Sequence, residues 1–178
     1  MNLKLDEIEN LFLVETPAPG RLATMPGPAA FELDDRFQSL ANAGFSRIVS
    51  LISDEEVVAM GLEEANVAAA TAGLEFTRFP IGDYQVPAEA PVFIELVDSI
   101  ADDLKEGRSV AVHCKGGVGR AGLAASSVLA RLGLEASAAI ARVSAARGVS
   151  SPETPAQRDL IAAVAAAPRN DNDQGDPL

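Results

Sequence analysis

The chain contains one cysteine and one histidine, and they are neighbours at the head of the run His113-Cys114-Lys115-Gly116-Gly117-Val118-Gly119-Arg120. A thiol opens this run and an arginine closes it six residues later. Glycines at 116, 117 and 119 let the backbone curl with its N–H groups pointing inward, and a helix starting at the far end adds about half a positive charge. Such a loop can hold the three oxygens of a phosphoryl group, and Arg120 adds a planar two-donor fork matched to phosphate. The same field favours thiolate over thiol, so Cys114 reads as a nucleophile. The simpler alternative, a buried structural cysteine before a glycine-rich turn, leaves the adjacent histidine and the arginine unexplained. A lone cysteine excludes an internal disulfide and any multi-cysteine metal site, and no ligand spacing around His113 suggests a metal.

Positioning this loop requires a scaffold, and apolar runs alternate with helical patterns in the manner of an α/β fold with a mostly parallel central sheet flanked by helices. Leu11 to Val14 and Leu22 to Thr24 read as short opening strands at a sheet edge, parted by Pro17, Pro19 and Gly20. Strands are expected at Ser46 to Ile52, Leu74 to Phe79 and Ser109 to Val112. Helices are expected at Glu32 to Ala43, Leu62 to Ala72, Pro91 to Glu106, Arg120 to Leu132, Glu135 to Ala146 and Pro155 to Ala167, with Thr154 as an N-cap. The length, 178 residues, suits a single domain, taken as 1–167, followed by a polar, breaker-rich tail over 168–178 that is expected to be flexible. Hydrophobic residues make up 48% and aromatic residues 4%, so aliphatic packing must dominate the core. A net charge of −12 opposes nucleic acid or an anionic membrane as partner. Stretches without charge reach only ten residues, as in Ala121 to Ala130, far short of the roughly 20 that span a bilayer. The N-terminal MNLKLDEIENLFLVE lacks the basic start and apolar run of a signal peptide, which reads as cytoplasmic. Oligomeric state leaves no trace in the sequence.

HCKGGVGR resembles the HCxxGxxR signature of the cysteine-dependent protein tyrosine and dual-specificity phosphatases. With FPIGDYQVP (Phe79 to Pro87), HCKGGVGRAGLAA and RGVSSPETPAQ (Arg147 to Gln157), the similarity over residues 18–165 narrows to the kinase-associated phosphatase group. It implies the protein tyrosine phosphatase-like fold and a phosphoprotein substrate carrying phosphotyrosine and/or phosphoserine or phosphothreonine, with no metal or cofactor. Cys114 would attack phosphorus; Arg120 and the loop at Lys115, Gly116, Gly117, Val118 and Gly119 would hold the phosphoryl oxygens. Asp83, 31 residues before Cys114, matches the aspartate that protonates the leaving oxygen and then activates water, although alone it also reads as a turn aspartate. His113 would orient the loop in a supporting role. Gln157 matches the second glutamine of a Q-T-x-x-Q loop, with Glu153 where the first would stand. Val118 occupies the position of a second lysine in phosphoinositide-specific relatives, which weakens a lipid substrate. Ala121 replaces the usual Ser or Thr, whose hydroxyl assists the departing thiolate, so the second chemical step is expected to be slow.

Glu55 and Glu56 follow a strand and could orient Arg120, but adjacent glutamates read more simply as a solvated helix start. Tyr84 is either a wall of the pocket or a surface tyrosine. Two rival functions remain open. One is a phosphate-binding pseudophosphatase module with negligible turnover. The other is a sulfur-transfer or arsenate-reducing enzyme, opposed by the His113 lead-in, the placement of Asp83 and the want of a second, resolving cysteine.

Overall fold

A computed structural model describes residues 8–169. Its centre is a five-stranded sheet in the order β1-β2-β5-β3-β4, built from β1 (Phe12–Val14), β2 (Leu22–Pro26), β3 (Arg47–Ser50), β4 (Glu75–Arg78) and β5 (Val110–Cys114). Only the β1–β2 pair is antiparallel; β2 and β3 both run parallel to β5, and β4 parallel to β3. Strands covered on both faces read as continuous apolar runs rather than alternations. β5, Val-Ala-Val-His-Cys, is buried at every position.

Among the described residues seven α-helices flank the sheet: α1 (Leu33–Asn42), α2 (Asp54–Met60), α3 (Ala65–Ala72), α4 (Ala90–Lys105), α5 (Gly119–Arg131), α6 (Ala136–Arg147) and α7 (Pro155–Ala166). α4, α6 and α7 gather round α5, whose 13 residues are all buried. Small side chains at Ala121, Gly122, Ala124, Ala125, Ser126 and Ser127 let its neighbours approach closely. α7 begins at Thr154 with a capping box closed by Gln157. Among the described residues no helix is long and apolar enough to cross a membrane.

Two expectations change. The opening strands do not share an edge: β1 alone is the edge, whereas β2 extends to Pro26 and lies between β1 and β5, its backbone paired along both sides. β5 is longer than expected, so His113 and Cys114 end the strand instead of following it. Of the expected tail only Pro168 and Arg169 lie within the described residues. Buried Arg131, paired with Asp98, donates to the carbonyls of Val164, Ala167 and Pro168. Residues 170–178 lie outside the described residues.

Candidate active site

In a parallel sheet the loops after the carboxyl ends of the strands converge. Cys114 is the last residue of β5, and the segments after β2, β3 and β4 surround the loop that follows it. Gly27 N–H, after β2, donates to Lys115 O at 3.1 Å. The Gly117 N–H donates to Cys114 Sγ at 3.2 Å, so at least one loop amide is turned inward onto the sulfur. Gly117 has φ +70°, and a Cβ there would meet the backbone of Met25 at 2.5 Å; no other residue fits. Lys115 is exposed and forms no ion pair among the described residues, so its contribution to the cradle is its backbone. Val118 O accepts from Ser151 Oγ at 2.6 Å and from Gly122 N–H at 3.1 Å.

Arg120 is 2% exposed and firmly held. Its Nη1 and Nη2 donate to the two carboxylate oxygens of Glu56 at 2.5 and 2.9 Å, Nη1 also to Ile81 O at 2.9 Å, and Nη2 also to Asp83 Oδ1 at 3.0 Å. Nε has no acceptor among the described residues. Burial alone would lower the guanidinium pKa, but the Glu56 hydrogen bonds and the charges of Cys114, Glu56 and Asp83 outweigh it and hold the pKa above its ordinary value. Glu56 is the residue that the sequence reading set aside. Only Glu55 is a solvated helix-start glutamate; Glu56 sits at the third position of α2, in a capping box with Ser53, and that box turns its carboxylate onto Arg120. The Arg120 hydrogen bonds, foremost, draw the Glu56 pKa down against partial burial. The pattern Ser53-Asp54-Glu55-Glu56 was the available signal.

Asp83 lies in the loop after β4, half-exposed, its Oδ1 accepting from Arg120 and from Tyr84 N–H at 3.1 Å. Tyr84 adopts φ +58°, a left-handed conformation that costs a non-glycine residue about 1–2 kcal/mol and that accompanies this turn. Gln157 is fully buried. Its Oε1 accepts from Glu153 and Thr154 N–H, and its Nε2 donates to Gln85 O at 3.1 Å, so it fastens the loop of Asp83 to the start of α7. Glu153 reaches the cradle itself: a Cβ on Gly119 would lie 2.2 Å from its Oε2. Arg147, at the end of α6, was quoted in sequence only as the start of a motif. It donates to Gly117 O and Gly116 O, both at 3.2 Å, while stacking 4.0 Å over the Phe12 ring. Holding those carbonyls outward favours inward amides. Nothing in the sequence links positions 30 residues apart in this way.

His113 is buried, and its Nδ1 lies 3.2 Å from Cys114 O. A carbonyl only accepts, so Nδ1 carries the hydrogen, and burial keeps the ring neutral near pH 7. Burial pushes its pKa down to about 4; the hydrogen bond to Cys114 opposes this, and the charges of Arg120 and Arg78 reinforce it. The unfolded chain therefore binds a proton below pH 6.5 that the folded chain refuses until about pH 4. Stability must fall as pH drops through that window, by about 2 kcal/mol between pH 7 and 5. Glu56 adds its own loss only below its ordinary carboxylate range. Urea midpoints across pH 7 to 5 should show this slope, and His113→Gln should remove it; an unchanged slope would mean that His113 is not the group titrating.

Among the described residues no cluster of His, Cys, Asp and Glu could hold a metal ion. The arrangement, a sulfur hydrogen-bonded by a loop amide, a buried guanidinium and a carboxylate on a neighbouring loop, is suited to binding and transferring a phosphoryl group. A comparison with curated proteins finds no match. Among solved structures, Tk-PTP in its active form is 26% identical, with a TM-score of 0.72 over 88% of this chain and 97% of that one. Kinase associated phosphatase, with serine in place of its catalytic-site cysteine, is 19% identical, TM-score 0.72, over 85% and 90%. Human DUSP28 is 21% identical, TM-score 0.62, over 85% and 91%; the similarity of these last two is one of fold. The family described as "Polymorphic toxin system, DSP-PTPase phosphatase" matches residues 23–165, and the chain belongs to it.

Proposed function

We propose that the protein hydrolyses phosphate monoesters of phosphoproteins, on tyrosine and/or serine and threonine, through a phosphocysteine intermediate. The observation that carries this reading is the conjunction of Cys114 Sγ, hydrogen-bonded by a loop amide, with buried Arg120 and Asp83 on that same guanidinium. The substrate phosphoryl takes Nε and the side of Nη2 that Asp83 holds, which releases Asp83 towards the leaving oxygen. Cys114 thiolate forms the S–P bond as the P–O bond to the substrate breaks, and protonated Asp83 gives its proton to the departing oxygen. Water then attacks phosphorus and loses a proton to Asp83, and the S–P bond breaks to return the thiolate.

The acid role is tested by leaving group. Asp83→Asn should slow hydrolysis of a phosphoserine peptide by about 10²- to 10⁴-fold, and that of p-nitrophenyl phosphate much less, since nitrophenolate needs little protonation. Equal losses, or none, would reduce Asp83 to a turn residue.

The second step is where Ala121 matters. Ser126 Oγ and Ser127 Oγ, further along α5, are buried without hydrogen-bond partners, so neither donates to the sulfur in place of the missing hydroxyl. A hydrogen bond to a charged group is worth about 1.5–3 kcal/mol, or roughly a tenfold to hundredfold in rate. Rapid mixing should show a burst of nitrophenolate, and Ala121→Ser should raise the steady rate. The absence of both would place the slow step before the phosphoenzyme.

A further inference from the structure

We infer that the loops around the phosphate cradle form an apolar and acidic rim that recognises a phosphopeptide with a bulky apolar side chain beside its phosphorylated residue and Lys or Arg next to that. The inference rests on the proposed phosphatase reading and specifies its substrate.

The chain has eight aromatic residues, seven Phe and one Tyr. Six are buried or partly buried; the two exposed ones, Phe31 at 88% and Tyr84 at 62%, both stand in loops at the carboxyl ends of the parallel strands. Phe31 lies in a short 3-10 turn, Ala30–Glu32, after β2. Val58, 67% exposed, lies on α2 after β3, and Val86, 36% exposed, follows Tyr84 after β4.

These loops meet at the cradle. A Cβ on Gly27 would lie 2.7 Å from Met60 Cε and 3.0 Å from Cys114 O, and one on Gly61 would lie 3.0 Å from Ala30 Cβ, one helical turn beyond Val58. Phe31, next to Ala30, therefore belongs to one side of the opening, and Tyr84 and Val86, beside Asp83, to the side beyond β3; Val58, two residues from Glu56, lies on the face of α2 away from Arg120. Free phosphate offers nothing to apolar side chains, whereas a peptide anchored by its phosphate must lay its neighbouring side chains across them.

Charge selects among occupants. Beside Phe31 stand exposed Glu32, Asp34 and Asp35, and beside Val58 exposed Asp54 and Glu55, the first of these paired with Arg78. This side carries a carboxylate excess in a chain of net charge −12. An anionic lipid surface is repelled there, and a basic peptide is attracted.

Binding by the Cys114→Ser protein tests the rim without requiring turnover. Fluorescent phosphopeptides that share one phosphorylated residue should bind about tenfold more tightly with Leu or Phe and Lys or Arg neighbours than with Ala or Glu in those places. Adding Phe31→Ala, a change at a site too exposed to threaten folding, should erase most of that preference. Equal affinities across the set, a preference for Glu, or a preference untouched by Phe31→Ala would each overturn the inference. So would tighter binding to vesicles containing a phosphoinositide than to any peptide. Hydrolysis of p-nitrophenyl phosphate by the wild-type protein, measured separately, reports on the phosphatase reading alone.

Discussion

Cys114→Ser is expected to lose turnover by about 10⁶-fold, the scale seen when a covalent nucleophile is removed, while still binding inorganic phosphate. A serine hydroxyl at the end of β5 meets the same amide, Gly117 N–H, but no side chain placed to act as a base takes its proton. Neutral His113 gives its hydrogen to Cys114 O, and on the proposed reaction Asp83 serves first as an acid. The cradle remains, because Arg120 is fixed by Glu56 and Ile81 O rather than by the sulfur. Steady-state phosphate release and calorimetric titration with phosphate check the two halves. Undiminished release would remove Cys114 from the chemistry, and loss of binding together with activity would show that the sulfur organises the loop.

Arg120→Lys should cost about 10³-fold in kcat/KM, near the lower end for an arginine that stabilises a transferring phosphoryl group. The guanidinium now serves both Glu56 oxygens, Ile81 O and Asp83 with four donors, keeping Nε for a ligand. An ammonium has three donors and no planar fork. It cannot satisfy Glu56 with two bonds and still face phosphate with two. Kinetics on p-nitrophenyl phosphate, with a thermal melt to confirm folding, decide this; activity within a few-fold of wild type would exclude Arg120 from phosphate binding.

Much of this site could be read in sequence because its elements are local. His113 through Arg120 are contiguous, the strand before them is a continuous apolar run, and the alternation of strands and helices places the loop of Asp83 at the same end of the sheet. What could not be read was contact across distance. Ser53 and Glu56 announce a helix start, but nothing nearby in sequence says that the carboxylate also meets Arg120, 64 residues on. Gln157 reads as a member of a loop motif, and only the packing of α7 shows its amide on Gln85 O. The misplacement of β2 has the same cause. A five-residue strand shows that it is buried, not which strands lie on either side of it.

The carboxylate of Asp83 on Arg120 Nη2 bears on the fate of the product. On the proposed reaction, phosphate binding displaces the Asp83 carboxyl group from this guanidinium, and the displaced group stays tethered by its own loop. A tethered competitor acts at a high effective concentration, so free phosphate left in the cradle faces replacement by Asp83 once the S–P bond has broken and Asp83 has shed the proton it took from water. On that reading the group that assists cleavage also clears the site, and product inhibition by free phosphate is expected to be weak.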